Sequence, residues 1–185
     1  MLEKLQSQDF DKVYAIMEEA FPFDERRTYD EQKELLSNPN YCVYVLYDNR
    51  KDIKSFVTIY QFDEFAFIEH FATSNKYRKQ GFGSLILNEL FNLLNCRFCL
   101  EVELPETEFA KRRIEFYKRN GFFVNNFDYI QPPISEGKKA LRLILMTSGG
   151  TLTKNEFEKT KAILYKKVYR INKKKINFNN SSVQA

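Results

Sequence analysis

The 185-residue sequence contains no tryptophan, one histidine (His70) and three cysteines, Cys42, Cys96 and Cys99. Three cysteines do not make a disulfide framework. The pair in Cys96-Arg97-Phe98-Cys99 has neither a second pair nor enough histidine to complete a zinc site. Positions three apart on a strand face opposite sides, so these cysteines read as small apolar residues. No metal is expected. No run approaches 18 apolar residues, and Met1-Leu2-Glu3-Lys4 lacks the apolar stretch of a signal peptide. The expectation is a cytoplasmic protein with no membrane association, in which the sequons at Asn179 and Asn180 have no meaning.

Aromatics are plentiful instead: 18 Phe and 11 Tyr suggest an aromatic-rich core. The length suits one α/β domain, with about 70% of the unfolded surface buried. The net charge of +4 is small but uneven. From Lys154 onward there are nine Lys or Arg and two Glu, a net +7, which leaves −3 for the rest.

Alternating patterns divide the chain. Ser7 or Asp9 can cap a helix running to about Ala20 with Phe10, Val13, Ile16 and Met17 on one face. A second helix is expected over 29–36. Strands are expected over 41–47, 53–62, 65–73, 96–104, 122–130 and 140–146, the first two forming a hairpin. Helices are expected over 83–95 and 109–120. The fold class is therefore mixed α/β (α+β). Residues 1–150 form the domain. Residues 151–185 read as a basic amphipathic helix packed on it, with a frayed tail from Asn177.

The stretch Arg78-Lys79-Gln80-Gly81-Phe82-Gly83 links the 65–73 strand to the following helix. First-turn amides of a helix lack internal partners and sit at the positive end of its dipole. Gly81 and Gly83 let a ligand approach the backbone, and Arg78 and Lys79 add positive charge. Such a turn suits a phosphate-bearing ligand, although most basic glycine turns are plain connectors. It is not a Rossmann fingerprint, since Ile86 stands where a third glycine belongs, and no Gly-Lys-Ser/Thr follows for a Walker loop. Thirty residues later comes Arg113-Ile114-Glu115-Phe116-Tyr117-Lys118-Arg119-Asn120-Gly121-Phe122.

Together these two segments resemble motifs A and B of the GNAT superfamily of acyl-CoA-dependent N-acetyltransferases. The resemblance spans residues 9–147, and Glu69-His70-Phe71-Ala72 looks most like uncharacterised bacterial members. It implies a mostly antiparallel sheet of about six or seven strands, flanked by helices, whose central strands splay around acetyl-CoA. By motif position, Phe71, Ala72 and Thr73 would meet the pantetheine and acetyl group. Arg78, Lys79, Gln80, Gly81, Phe82, Gly83 and Ser84 would hold the pyrophosphate. Many members carry Asn where this chain has Ala110, so that pantetheine contact is lost or replaced.

The implied reaction is acetyl transfer to a primary amine of a small molecule or peptide by direct attack. Tyr117 takes the family's general-acid position, although Phe116-Tyr117 also reads as ordinary packing before a helix stop. Glu69 is the candidate general base, and His70, expected on the opposite strand face, is a weaker one. Glu101 and Glu103 share a strand face; they read as a solvated surface or as an attraction for a cationic amine. The acceptor walls would be 21–28, 62–65 and 129–139. A homodimer is left open. The competing reading is a non-catalytic module that binds acyl-CoA, or nucleic acid through its basic tail.

Overall fold

The computed structural model describes residues 1–171. Residues 1–151 form one compact unit, and a second begins at residue 152.

The first unit is built on one eight-stranded sheet. Its strands are β1 (Glu3–Lys4), β2 (Tyr41–Tyr47), β3 (Ile53–Gln61), β4 (Ala66–Thr73), β5 (Phe98–Glu103), β6 (Phe122–Val124), β7 (Tyr129–Gln131) and β8 (Leu141–Ser148). The order is β1-β2-β3-β4-β5-β8-β6, with β7 also on β8. Every pairing is antiparallel except β4–β5. Parallel neighbours need a crossover, and helix α3 (Phe82–Leu94) provides it. The strand count exceeds the expected six or seven for two reasons. β1 is only two residues long, and the expected 122–130 strand is two strands. Asn125 makes that break. Its amide N–H donates to the carbonyl of Leu145, and its buried side chain donates to the same carbonyl and to Thr147 Oγ1.

β2 is buried along nearly its whole length, as its unbroken apolar run requires of a strand covered on both faces. It turns into β3 through Asp48, whose Oδ1 accepts the amides of Arg50 at 2.7 Å and Asp52 at 2.8 Å. On one face of the sheet Val57, Ile59, Ala66, Ile68, Phe98, Leu100 and Val102 pack against Ile86, Leu87 and Leu90 of α3. Ile114 and Tyr117 of α4 (Glu108–Arg119) join that core. On the other face α1 (Phe10–Ala20) lies against β3 and β4 through Phe10, Val13, Tyr14 and Met17. The expected Asp9 cap does not form, because its carboxylate turns to Tyr47 and Lys12. α2 (Tyr29–Glu34) starts with a Thr28–Glu31 capping box and ends two residues earlier than expected, in a tight turn over Leu35–Ser37.

Within the second unit, Thr153 and Glu156 form a capping box at the start of α5 (Lys154–Lys167). The expected frayed tail lies outside the described residues.

Candidate active site

β4 and β5 pair only from Ala66–Phe98 to Ile68–Leu100. Beyond that point β5 keeps β8 on its other edge and β4 keeps β3, but the facing edges have no partner strand. The pair splays into a V, as expected. Buried backbone amides and carbonyls need partners, so these free edges favour a ligand that carries amides of its own.

Thr73 leads by a short turn into α3. Gly81 takes the N-cap place with φ 82°, a left-handed conformation that costs glycine nothing. It offers no side-chain cap, and a Cβ added there would meet nothing within 4 Å. The first-turn amides of Phe82, Gly83 and Ser84 therefore open onto free space at the positive end of the helix. Arg78, Lys79 and Gln80 are exposed around them, with Arg78 Nε donating to the Thr73 carbonyl at 3.2 Å. Gly83 has another cause. An added Cβ would stand 3.2 Å from Cζ of Phe116 and 3.5 Å from Cζ of Phe71. Its missing side chain makes room for those rings rather than for a ligand.

The rings belong to a cluster around Tyr117, with centroids 5.3 Å away in Phe116, 5.5 Å in Phe122 and 6.3 Å in Phe71. Tyr117 is 7% exposed. Burial pushes its phenol up, and nearby Glu103 adds to that while Arg113 opposes it.

A β-bulge decides where Glu69 goes. Ile59 pairs with Ile68 and Thr58 with His70, which leaves Glu69 as the extra residue on β4. Thr58 Oγ1 satisfies the His70 amide at 2.9 Å. The bulge corrects the expectation that Glu69 and His70 face opposite ways. His70 Nδ1 stands 3.4 Å from Glu69 Oε2, both side chains buried. It also moves Phe71 onto the α3–α4 face, the side of Ile68, although the two are three residues apart.

Glu69 is held by Arg27, with Nη1 2.6 Å from Oε1 and both side chains at most 6% exposed. Burial alone would raise the carboxyl. The Arg27 charge and hydrogen bond, together with His70, outweigh it and bring the carboxyl down to about 2. His70 Nε2 lies 2.9 Å from the carbonyl oxygen of Glu25. A carbonyl only accepts, so Nε2 carries the proton. Phe21 stands edge-on to the same ring at 4.8 Å. Residues 21–28 are thus fixed to β4 at two points, Arg27–Glu69 and Glu25–His70. Sequence reasoning missed Arg27: its partner is 42 residues away, and no spacing rule connects them.

The structure separates Glu101 from Glu103 in role. Tyr129 donates its hydroxyl to Glu101, and Arg113, four residues before Tyr117 on α4, binds Glu103 at 2.6 Å. Neither is an idle surface charge. Among the described residues no group of three metal-ligating side chains occurs, and no helix is long and apolar enough to cross a membrane.

Residues 10–122 match the family model described as Acetyltransferase (GNAT) family. A solved structure from Bacteroides thetaiotaomicron, described as a candidate acetyltransferase of that family, is 32% identical with a TM-score of 0.83. The match covers 93% of this chain and 99% of that one. The ribosomal-protein-S18-alanine N-acetyltransferase of Escherichia coli is 20% identical, with a TM-score of 0.61 over 83% of this chain and 95% of that one. A variant of the spermidine N-acetyltransferase of Vibrio cholerae is 15% identical, with a TM-score of 0.59 over 80% and 91%. The last two likenesses are of fold. No curated protein matches the sequence.

Proposed function

The chain belongs to the GNAT acetyltransferase family, whose members use acetyl-CoA, and we propose that it transfers the acetyl group to a primary amine of a small molecule or peptide by direct attack. The observation that carries this reading is the V between β4 and β5, with the uncapped start of α3 and the ring-enclosed Tyr117 beside it. The pyrophosphate would lie on the amides of Phe82, Gly83 and Ser84, with Arg78, Lys79 and Gln80 around it and Gly81 leaving the space. The pantetheine amides would pair with the free edge at Phe71 and Thr73, as a strand would, while the backbone of Ala72 between them turns to β3, where Ser55 donates to its carbonyl. That brings the thioester to the open part of the V.

The remaining chemistry is proton traffic and charge. The amine nitrogen bonds to the thioester carbon, and the carbonyl electron pair moves to oxygen. When that pair returns, the carbon–sulfur bond breaks and the thiolate leaves. Tyr117 gives it a proton and regains one from the new amide nitrogen, directly or through water. A phenol pushed up by burial keeps its proton until that moment. Glu69, expected as the base, takes a different part. A carboxylate held at about 2 by a buried arginine has little affinity for a proton, and the same contact fixes the 21–28 loop. Nitrogen as acceptor agrees with the two N-acetyltransferases that share the fold.

The test is calorimetric titration with acetyl-CoA beside thiol release over a panel of primary amines. Tyr117→Phe should lower turnover about 10²-fold or more and leave acetyl-CoA affinity unchanged. Undiminished turnover in that variant removes Tyr117 from the reaction. Absence of thiol release by the unaltered protein with every amine overturns the activity.

A further inference from the structure

Removing Glu69 from the base role leaves a gap, since an ammonium must lose a proton before it can attack. β4, β5 and the 21–28 loop carry four glutamates, and three of them are engaged. Glu69 is bound by Arg27, Glu103 by Arg113 and Glu101 by Tyr129. The fourth is Glu25, in the short turn Phe23–Glu25 of the 21–28 loop. Its backbone carbonyl accepts from His70, which fixes the residue against β4 just beyond the bulge. Its carboxyl lies within electrostatic reach of His70 on β4, of Glu103 on β5 and of Arg113 on α4. Glu103 and Arg113 are also the charged groups that act on Tyr117. The loop thus sets Glu25 against the open half of β4, and the Arg113–Glu103 pair, one helical turn before Tyr117, stands where α4 meets the facing strand β5. Among the described residues, no cation or hydrogen-bond donor engages the Glu25 side chain.

We propose that Glu25 is the catalytic base of this site and receives the proton of the acceptor's ammonium. This rests on the acetyl-transfer reading above. The step is R–NH3+ with the Glu25 carboxylate giving R–NH2 and the carboxylic acid; the free amine then attacks the thioester, and the carboxyl later loses its proton to water. The environment suits the task. Burial raises the carboxyl above its ordinary range, and the like charges of Glu103 and Asp24 raise it further. Arg113 and His70 pull the other way. An ammonium entering between Glu25 and Glu103 meets negative charge on two sides.

The experiment uses the full chain and two readouts. Carboxyl titration followed by 13C NMR, without any acceptor, should show Glu25 above the ordinary glutamate midpoint, moving down in Glu103→Gln. Thiol release with the fastest amine of the panel should fall at least tenfold in Glu25→Gln and lose its acid-side decline, while acetyl-CoA affinity and unfolding midpoint stay unchanged. Glu25→Asp should recover part of the rate. An ordinary midpoint for Glu25 overturns the proposal. So does a Glu25→Gln variant that keeps both the rate and the acid-side decline. No thiol release by the unaltered protein with any amine overturns the parent reading, and Glu25 falls with it.

Discussion

The start of α3 and the 21–28 loop are both set against the C-terminal half of β4, but they are made by opposite means. The first is backbone: uncapped amides, a left-handed glycine and open space, assembled from neighbours in sequence. The second is side chains: a buried ion pair and a histidine bond, joining residues 42 and 45 apart. A backbone site can grip a phosphate that is the same in every turnover. A side-chain site can be rebuilt for a different acceptor while the sheet stays as it is. Loss of the buried pair that anchors the loop should therefore read out first as stability, and changes at the helix start as affinity.

The largest effect expected is for Arg27→Met. It leaves Glu69 buried without its arginine, facing only His70, and should cost about 3–5 kcal/mol, measured by urea unfolding. Acetyl-CoA affinity of the folded fraction should stay the same; a large loss of affinity with full stability would break the contrast. The same pair predicts a pH dependence. The folded carboxyl, at about 2, is below its ordinary value of 4.5, so its contribution to stability is complete above that value. It drains away as pH falls from 4.5 toward 2, and in Arg27→Met that acid-side slope should flatten.

Next comes Thr58→Val, nearly isosteric, which removes the acceptor of the His70 amide at the bulge. An unsatisfied buried donor costs about 1–3 kcal/mol. Tm should drop, and the His70 amide should exchange faster than its neighbours. No change in either would mean that the bulge has another support.

The smallest effect is for Gly81→Ala. There is room for the methyl group, but its left-handed backbone costs about 1 kcal/mol. The unfolding midpoint should fall by about 2–4 °C and acetyl-CoA affinity a few-fold, whereas Arg27→Met leaves affinity unchanged.

This contrast also explains what could be read from the sequence. Local features were legible: the 41–47 strand and all but the last residue of the expected 53–62 strand from their apolar runs, and the helix after Gly81 from its turn. The V between β4 and β5 was an implication of the resemblance. The bulge was not legible, because a single extra residue leaves no mark on an already apolar strand. It reverses the facing of everything after Ile68, so alternation counted along β4 misplaced His70 relative to Glu69. The partner of Glu69 was hidden for another reason: Arg26 and Arg27 look alike in sequence. Arg26 is half-buried and reaches Glu18 and Tyr14, and Arg27 is buried. The single expected strand over 122–130 failed at Asn125, whose amide is bound more tightly into β8 than a strand residue's side chain would be.

The three-residue pairing of β4 with β5 leaves the sheet open beyond Ile68 and Leu100. A cosubstrate bound there, as proposed, would act as a temporary strand and couple ligand occupancy to the mechanical rigidity of both halves. The amides of Phe71 and Thr73, which alternate with residues bound to β3, should exchange with solvent quickly until the gap is filled and slowly afterwards. The melting temperature should climb with the logarithm of ligand concentration. On that reading the cosubstrate would be part of the fold each time it visits.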